Sequence, residues 1–248
     1  SRVIFDGDYI FWNCINLKNV YINYGYGEIP SYTFCYCENL ENIYIGGDIE
    51  SIGSSAFYNC TNLTSVELNK NLVSIGYHAF YNCTNLKDII LYNAVKAIGD
   101  NAFENCSSIE TFHIPASVAN IGEGIFNGCT SLVNLTCSNQ NKYFKAINSV
   151  LYSKDETILY IYAPAKIETS FIVPTIVTTI KGYAFVNVKY LTYVYIPYNV
   201  KVVERLAFEG DETNDNLLIE CYFKSKPSGW NSMWCDWGIN YDWIGYMN

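Results

Sequence analysis

Four consecutive stretches decide the fold, because they repeat one phrase: IGSSAFYNCTNL at residues 52–63, IGYHAFYNCTNL at 75–86, IGDNAFENCSSI at 98–109 and IGEGIFNGCTSL at 121–132. Their phenylalanines recur every 23 residues, at Phe57, Phe80, Phe103 and Phe126. A fixed period of this length is typical of a solenoid, in which each repeat forms one coil and buries its apolar side against its neighbours. The sequence therefore predicts stacked coils around one elongated core.

The same spacing extends in both directions. Upstream it reaches Phe34 and Phe11, and downstream it separates Phe185 from Phe208. Between Phe126 and Phe185 lie 59 residues, which is two periods and 13 residues more. We therefore predict a single domain over 1–248, with repeats at about 1–137 and 175–218, irregular coils at 138–174 and a tryptophan-rich cap at 219–248. Within the irregular coils, two β-rich runs flank Lys154-Asp155-Glu156 and predict a hairpin.

Each period follows the same order of residue types. An alternating segment such as Leu63-x-x-Val66-x-Leu68 fits a strand whose inward residues face the core. A second apolar pair follows, as at Val118 and Ile121, and then a glycine and an Ala-Phe pair. This order predicts one parallel β-sheet, short second strands and a short helical or 3-10 turn that packs the phenylalanine onto the core.

The motif L-x-x-V-x-L-P … V-x-x-I-G-x-x-A-F-x-N-C-x-x-L resembles the BspA-type leucine-rich repeats of bacterial surface proteins. The resemblance covers about Ile10 to Leu218 in eight in-phase copies. It implies a leucine-rich-repeat solenoid of right-handed coils. It also implies a non-enzymatic adhesion scaffold that attaches to host or microbial proteins outside the cell.

Charge and hydropathy restrict the class of partner. The chain of 248 residues has a formal net charge of −9 and a sequence pI near 4.7, which argues against nucleic acid and anionic membrane surfaces. No apolar run approaches the roughly 18 residues of a membrane helix. Because Phe11 already occupies the phenylalanine phase, we expect that a signal or anchor segment has been removed upstream. We expect a monomer on the cell surface.

The ten cysteines do not predict metal or disulfide chemistry. One repeat phase holds six of them, and Val188 stands in the same phase, which indicates a small buried hydrophobic position. Side chains in register on stacked coils point the same way, and this geometry disfavours disulfides. No C-x-x-C pair suggests zinc, and we expect neither metal nor cofactor.

Candidate catalytic residues are few. The two histidines, His78 and His113, belong to no H-E-x-x-H motif, and neither a nucleophile elbow nor a phosphate-binding loop is present. Nothing in the sequence assembles a nucleophile, a base and an oxyanion site. We therefore predict that the chain is not an enzyme.

The end of the chain is rich in aromatic residues. Trp230, Trp234, Trp237 and Trp243 lie close to Tyr241 and Tyr246. Terminal units of solenoids are atypical because they cover the exposed end of the core, which favours a cap. The alternative is a carbohydrate-binding module in which exposed rings, above all Trp230 and Trp234, stack on sugars.

The outward positions of the predicted sheet are the candidate protein-binding surface. One column of outward residues includes Tyr21, Tyr44, Glu67, His113 and Tyr195, and Tyr193 lies two residues before Tyr195. Tyrosine offers a large contact area at low entropic cost, which recognition surfaces use. Tyrosine also simply favours strands, so the columns alone do not decide between a binding site and a structural surface.

Overall fold

The structure, a computed structural model, describes residues 6–209, 216–223, 225–235 and 240–244. These residues form a β-solenoid of about nine turns at a spacing of about 23 residues. The predicted leucine-rich-repeat solenoid is thereby confirmed. Of the aromatic cap residues named above, Trp237 and Tyr246 lie outside the described ranges.

The described strands are short, and each coil contributes a pair of them. In chain order they are β1 (Asn19–Ile22), β2 (Tyr26–Ile29), β3 (Asn42–Ile45), β4 (Asp48–Ile52), β5 (Ser65–Glu67), β6 (Ser74–Ile75), β7 (Asp88–Ile89), β8 (Ala97–Ile98), β9 (Thr111–Ile114) and β10 (Asn120–Ile121). They continue as β11 (Asn134–Cys137), β12 (Phe144–Ile147), β13 (Val150–Ser153), β14 (Ile158–Tyr162), β15 (Ser170–Ile172), β16 (Thr179–Ile180), β17 (Tyr193–Ile196), β18 (Val202–Val203), β19 (Leu218–Cys221) and β20 (Asn240–Trp243).

The first strands of successive coils form the main parallel face. Its members pair in the orders β1-β3-β5-β7, β9-β11 and β15-β17-β19-β20, with residues 23 apart in register within the repeats. The second strands form a parallel sheet of order β2-β4-β6-β8-β10. Between these regular parts, β12, β13 and β14 pair antiparallel, and β14 then pairs parallel with β16 and returns the chain to the solenoid.

The phenylalanines form a stack along the core. Phe57 and Phe80 lie 5.1 Å apart between ring centroids, and the Phe80–Phe103 pair follows at 5.4 Å and an angle of 2°. All three rings are fully buried. Each ring therefore packs against its equivalent in the neighbouring coil, as the 23-residue spacing predicts.

The turn around each phenylalanine differs from the predicted helical or 3-10 turn, since no described residue lies in a helix. Two positions per coil adopt a left-handed backbone, for example Ser55 (φ 55°) and Asn59 (φ 59°). Alternate N–H groups therefore point to the next coil: Phe57 N–H donates to Ala79 O at 2.8 Å, while Tyr58 N–H donates within the coil to Ser55 O. Asparagine favours such positions because it tolerates the left-handed region.

The cysteine column is buried and free of disulfides, which confirms the prediction for the repeat cysteines. Cys60 and Cys83 are fully buried, and each Sγ donates to the carbonyl of a phenylalanine in the preceding coil, at 3.1 and 3.2 Å. Burial raises the pKa of both thiols well above their ordinary value. Cys14, on the first described coil, is only partly buried.

Asparagine amides form additional hydrogen bonds along the solenoid. The Asn82 side-chain amide donates to Asn59 Oδ1 at 2.8 Å, and the Asn85 amide donates to Asn62 Oδ1 at 3.3 Å. Asn62 in turn donates to the equivalent asparagine of the preceding coil. The amide groups therefore link coils through donors that all belong to the later coil of each pair.

Candidate functional site

The first part of the candidate surface lies on β1, β3 and β5. Tyr21 is paired with Tyr44, and Tyr44 with Glu67, so the three side chains follow one another across the sheet. Tyr21 is 68% exposed, and Glu67 is also exposed. The Tyr44 ring is half-buried and lies over Gly46, where an added Cβ would come within 2.7 Å of Tyr44 Cε1. Parallel pairing thus places an acidic group beside two tyrosines.

The middle of the column is less continuous. Ile90 occupies the next position and is 68% exposed, but it lies just beyond the end of β7. His113 on β9 pairs with Thr136, and its Nδ1 lies 2.9 Å from Thr136 Oγ1. His113 is solvent-exposed and touches a hydroxyl, which makes it a surface histidine with no nucleophile in reach.

The second part of the surface lies on β17 and β19. Tyr193 Oη donates to Glu220 Oε2 at 2.7 Å, and this hydrogen bond, with partial burial, raises the pKa of Tyr193 to about 12. Tyr195 is half-buried, pairs with Glu220 in the sheet, and lies 6.4 Å from the Tyr222 ring. The hydrogen bond fixes the Tyr193 ring and leaves a carboxylate beside the two tyrosines.

The structure therefore brings the predicted residues together as two patches at opposite ends of the array. The N-terminal patch consists of Tyr21, Tyr44 and Glu67, and the C-terminal patch of Tyr193, Tyr195 and Glu220. Sequence reasoning missed Glu220, because extra residues before β19 break the 23-residue spacing. It also missed Ile172, which is 67% exposed and pairs with Tyr195; counting 23 residues back from Tyr195 would have found it.

The tryptophans proposed to stack on sugars are core residues. Trp230 and Trp234 are each 3% exposed, and their rings lie 5.1 Å apart in an edge contact. Trp234 packs edge-on against Phe208, and Trp230 Nε1 donates to Val200 O at 3.3 Å. Rings buried in this way have no free face for a sugar. The carbohydrate alternative was therefore wrong about these two residues.

The described residues offer no metal or catalytic centre. Within them, no group of three or more histidine, cysteine, aspartate or glutamate side chains is arranged to hold a metal ion. His78 Nε2 lies 3.5 Å from Glu104 Oε2, and burial lowers the pKa of His78 while it raises that of Glu104. The two groups therefore tend toward their neutral forms, and Glu104 also accepts hydrogen bonds from Asn101 and Asn127. In the same ranges, no helix has the length and apolar character needed to span a bilayer.

The fold and its repeated surface define a leucine-rich-repeat solenoid, and sequence comparison identifies the family. The model of the BspA type leucine rich repeat region matches residues 2–72, 50–170 and 157–224. These matches cover most of the chain, so the protein belongs to the BspA-type leucine-rich-repeat family. No curated protein is detectably similar to the chain in sequence.

Solved structures share the architecture. A leucine-rich repeat protein from Eubacterium ventriosum is 27% identical, with a TM-score of 0.70 over 91% of this chain and 68% of that one. A leucine rich cell surface protein from Faecalibacterium prausnitzii is 22% identical, with a TM-score of 0.60 over 92% of this chain and 73% of that one. A leucine-rich repeat protein from Bacteroides ovatus is 16% identical, with a TM-score of 0.53 over 93% of each chain. The last two likenesses concern the fold alone.

Proposed function

We propose that the protein is a non-enzymatic, extracellular binding or adhesion scaffold of a bacterial cell surface. It recognises protein ligands through the outward side of its first-strand sheet. On this proposal the chain acts as a monomer, its coils and cap form one domain, and it needs no cofactor.

The observation that carries the proposal is the juxtaposition of tyrosines and a carboxylate in each patch. Tyr21, Tyr44 and Glu67 follow one another at the inter-strand spacing, on a rigid sheet that requires no ordering when a ligand binds. Tyrosine with a neighbouring charge is a composition that protein interfaces favour. The net charge of −9 adds a preference for basic or neutral partners.

The surface location is supported by the family and by the Faecalibacterium neighbour, which is described as a cell surface protein. Labelling of intact producing cells with antibodies against the chain tests this part of the proposal. Labelling without permeabilisation is the expected result, and labelling only after permeabilisation contradicts it.

Ligand capture tests the sheet surface. The purified chain is immobilised, exposed to an extract of host extracellular proteins, and compared with Tyr44→Ala and Tyr195→Ala. Tyr143→Ala is the matched control, because Tyr143 is 53% exposed and lies beside the antiparallel hairpin rather than on the sheet. We expect at least a fivefold loss of the captured protein for one or both sheet variants, and no change for the control. Equal capture by all variants contradicts the proposed surface.

A glycan array separates the carbohydrate alternative from protein binding. Protein capture without glycan binding is the expected result. Tight binding of a sugar by the wild type, in the absence of any captured protein, would replace the proposed class of ligand.

A further inference from the structure

A groove on the turn side of the first four coils lies apart from the sheet surface. Two side-chain columns shape it: one stands two residues before the stacked phenylalanines, and the other stands one residue after them. The first column is Tyr9, Tyr32, Ser55 and His78, and the second is Trp12, Cys35, Tyr58 and Tyr81. In each column one small side chain interrupts a run of rings, and these two residues, Ser55 and Cys35, form the floor.

The interruption creates an open groove of about 320 Å³. Its walls are aromatic: Tyr9, Trp12, Tyr36, Tyr58, Tyr77 and His78 line it. Tyr9, Trp12 and Tyr77 are about half exposed, at 54%, 53% and 49%, whereas Ser55 and Cys35 are 3% exposed. The volume is in the range of ordinary ligand sites, about 300 to 1,000 Å³.

The rings are held in place before any ligand arrives. Tyr9 stacks on Tyr32 with centroids 4.6 Å apart and an angle of 1°, and Tyr58 stacks on Tyr81 at 4.5 Å and 7°. Tyr77 and His78 are in contact at 3.8 Å. Rings fixed by stacking lose little conformational entropy on binding, so the groove is pre-organised.

The spacing of the walls selects the ligand. Trp12 and Tyr58 lie two coils apart on either side of Cys35, and Tyr32 and His78 flank Ser55 in the same way. Neighbouring parallel strands lie about 4.8 Å apart, so two coils span about 9.6 Å. A polyproline II helix advances about 9.3 Å per turn of three residues. A polyproline segment lying along the solenoid axis would thus place one turn in each slot between two rings.

Charge restricts the ligand further. Residues 6–82 include eight acidic side chains and only two lysines, Lys18 and Lys70. Asp8 stands directly before Tyr9, and the Glu104 carboxylate approaches His78 at the opposite end of the groove. Both ends of the groove therefore favour positive charge. We infer that this aromatic groove binds a proline-rich segment of a partner protein in the polyproline II conformation, flanked by lysine or arginine.

Fluorescence anisotropy tests the inference with a labelled peptide of ten prolines between two arginine pairs. A peptide of the same charge with a glycine-serine centre controls for electrostatic attraction. We expect saturable binding of the proline peptide, and binding of the control peptide at least tenfold weaker. No saturation by the proline peptide, or equal binding of both peptides, overturns the inference. So does saturable binding of oligosaccharides in place of the proline peptide.

Variants that fill the floor locate the site. Cys35→Tyr and Ser55→Tyr introduce a residue that other coils carry in the same columns, at Tyr58 and Tyr32. Asn127→Tyr places the same ring in the second column, away from the groove, and is the matched control. We expect at least a tenfold loss of affinity for the floor variants and less than a twofold change for the control. Circular dichroism confirms the fold of each variant, and a correctly folded floor variant with full affinity overturns the assignment.

The sheet variants distinguish this site from the proposed function. Tyr44→Ala and Tyr195→Ala should leave binding of the proline peptide within twofold of the wild type. A loss of affinity in these variants, with full affinity in Cys35→Tyr, would assign the peptide to the sheet and overturn the groove.

Discussion

The coils anchored by Phe57 to Phe126 and those anchored by Phe185 and Phe208 fill one position of the repeat in different ways. In the first region that position is glycine, and a Cβ on Gly76 would lie 2.8 Å from the carbonyl carbon of Gly53. In the second region it is occupied by Lys181 and Glu204, whose charged groups meet at 2.7 Å. Close backbone contact joins the first coils at this position, and an ion pair joins the second.

The backbone hydrogen bonds are nevertheless the same in both regions. Gly76 N–H donates to Ile52 O at 2.8 Å, and Glu204 N–H donates to Ile180 O at 3.0 Å. The difference therefore teaches that the inter-coil hydrogen bonds do not require glycine. They require only that any side chain present has room and a partner on the neighbouring coil.

The two regions meet at the antiparallel hairpin. The phenylalanine stack opens to 6.2 Å between Phe103 and Phe126, and Phe112 packs edge-on against Phe126 at 4.7 Å. Beyond the hairpin, Tyr162 occupies the anchoring position and stacks on Phe185 at 5.4 Å. The buried residues accordingly form two hydrophobic clusters, one on each side.

The largest expected effect concerns the stack itself. Phe80→Ala and Phe185→Ala should each lower the free energy of unfolding by about 3 to 5 kcal/mol, because each ring is buried between two stacked neighbours. Urea denaturation followed by circular dichroism measures the loss, with Tyr143→Ala as an exposed control. A cost below about 1 kcal/mol in only one region would show that this region does not depend on its anchor.

A smaller effect is expected at Tyr162, where the hairpin replaces phenylalanine by tyrosine. Its hydroxyl is buried and has no hydrogen-bond partner among the described residues. Tyr162→Phe should raise the free energy of unfolding by about 1 kcal/mol, because it removes an unsatisfied polar group and keeps the ring. The same denaturation assay measures it, with the half-buried Tyr160→Phe as control. A destabilised Tyr162→Phe variant would show that the hydroxyl has a partner in solution.

The smallest effect concerns Lys181, which contacts Glu204 and also reaches Glu123 Oε1 at 3.5 Å. Burial lowers the pKa of Lys181, but the two glutamates outweigh it and raise the pKa above the ordinary value of 10.5. The stabilisation is therefore complete below pH 10.5 and is lost as the pH rises through the higher folded value. Lys181→Met should cost about 0.5 kcal/mol at pH 7, since the lysine is partly exposed.

Denaturation at pH 7, 10 and 12 measures this pH dependence, and the gap between wild type and Lys181→Met should close at the highest pH. Lys70→Met, at an exposed position of the regular coils, is the control. A gap that grows with pH would contradict the assigned ion pair.

The period made most of the fold predictable, because a residue repeated every 23 positions meets its own copy in the next coil. The cysteine column and the two strands of each coil followed from the same spacing. The turn was harder, because the left-handed residues Ser55 and Asn59 direct alternate N–H groups outward, and apolar spacing does not report backbone hydrogen-bond direction. Position 162 was missed although it lies 23 residues before Phe185, because the search looked for phenylalanine.

The candidate surfaces were only partly predictable. Tyr21 and Tyr44 were correctly placed in one column because strand alternation fixes which side a residue takes. The burial of Trp230 and Trp234 depends on how the last coils fold over Phe208, and composition alone does not contain that information. The aromatic groove likewise depends on two small residues set among rings in different columns, and the columns become visible only once the coils are stacked.

The asparagine amides give the array a polarity. In the Asn82–Asn59 and Asn85–Asn62 pairs the donor belongs to the later coil, so the side-chain dipoles point in one direction and reinforce one another. A glycan attached to Asn62 would remove an N–H that this chain of amides uses. Like the subunits of a head-to-tail filament, the coils can be extended by another copy of the repeat in one orientation only.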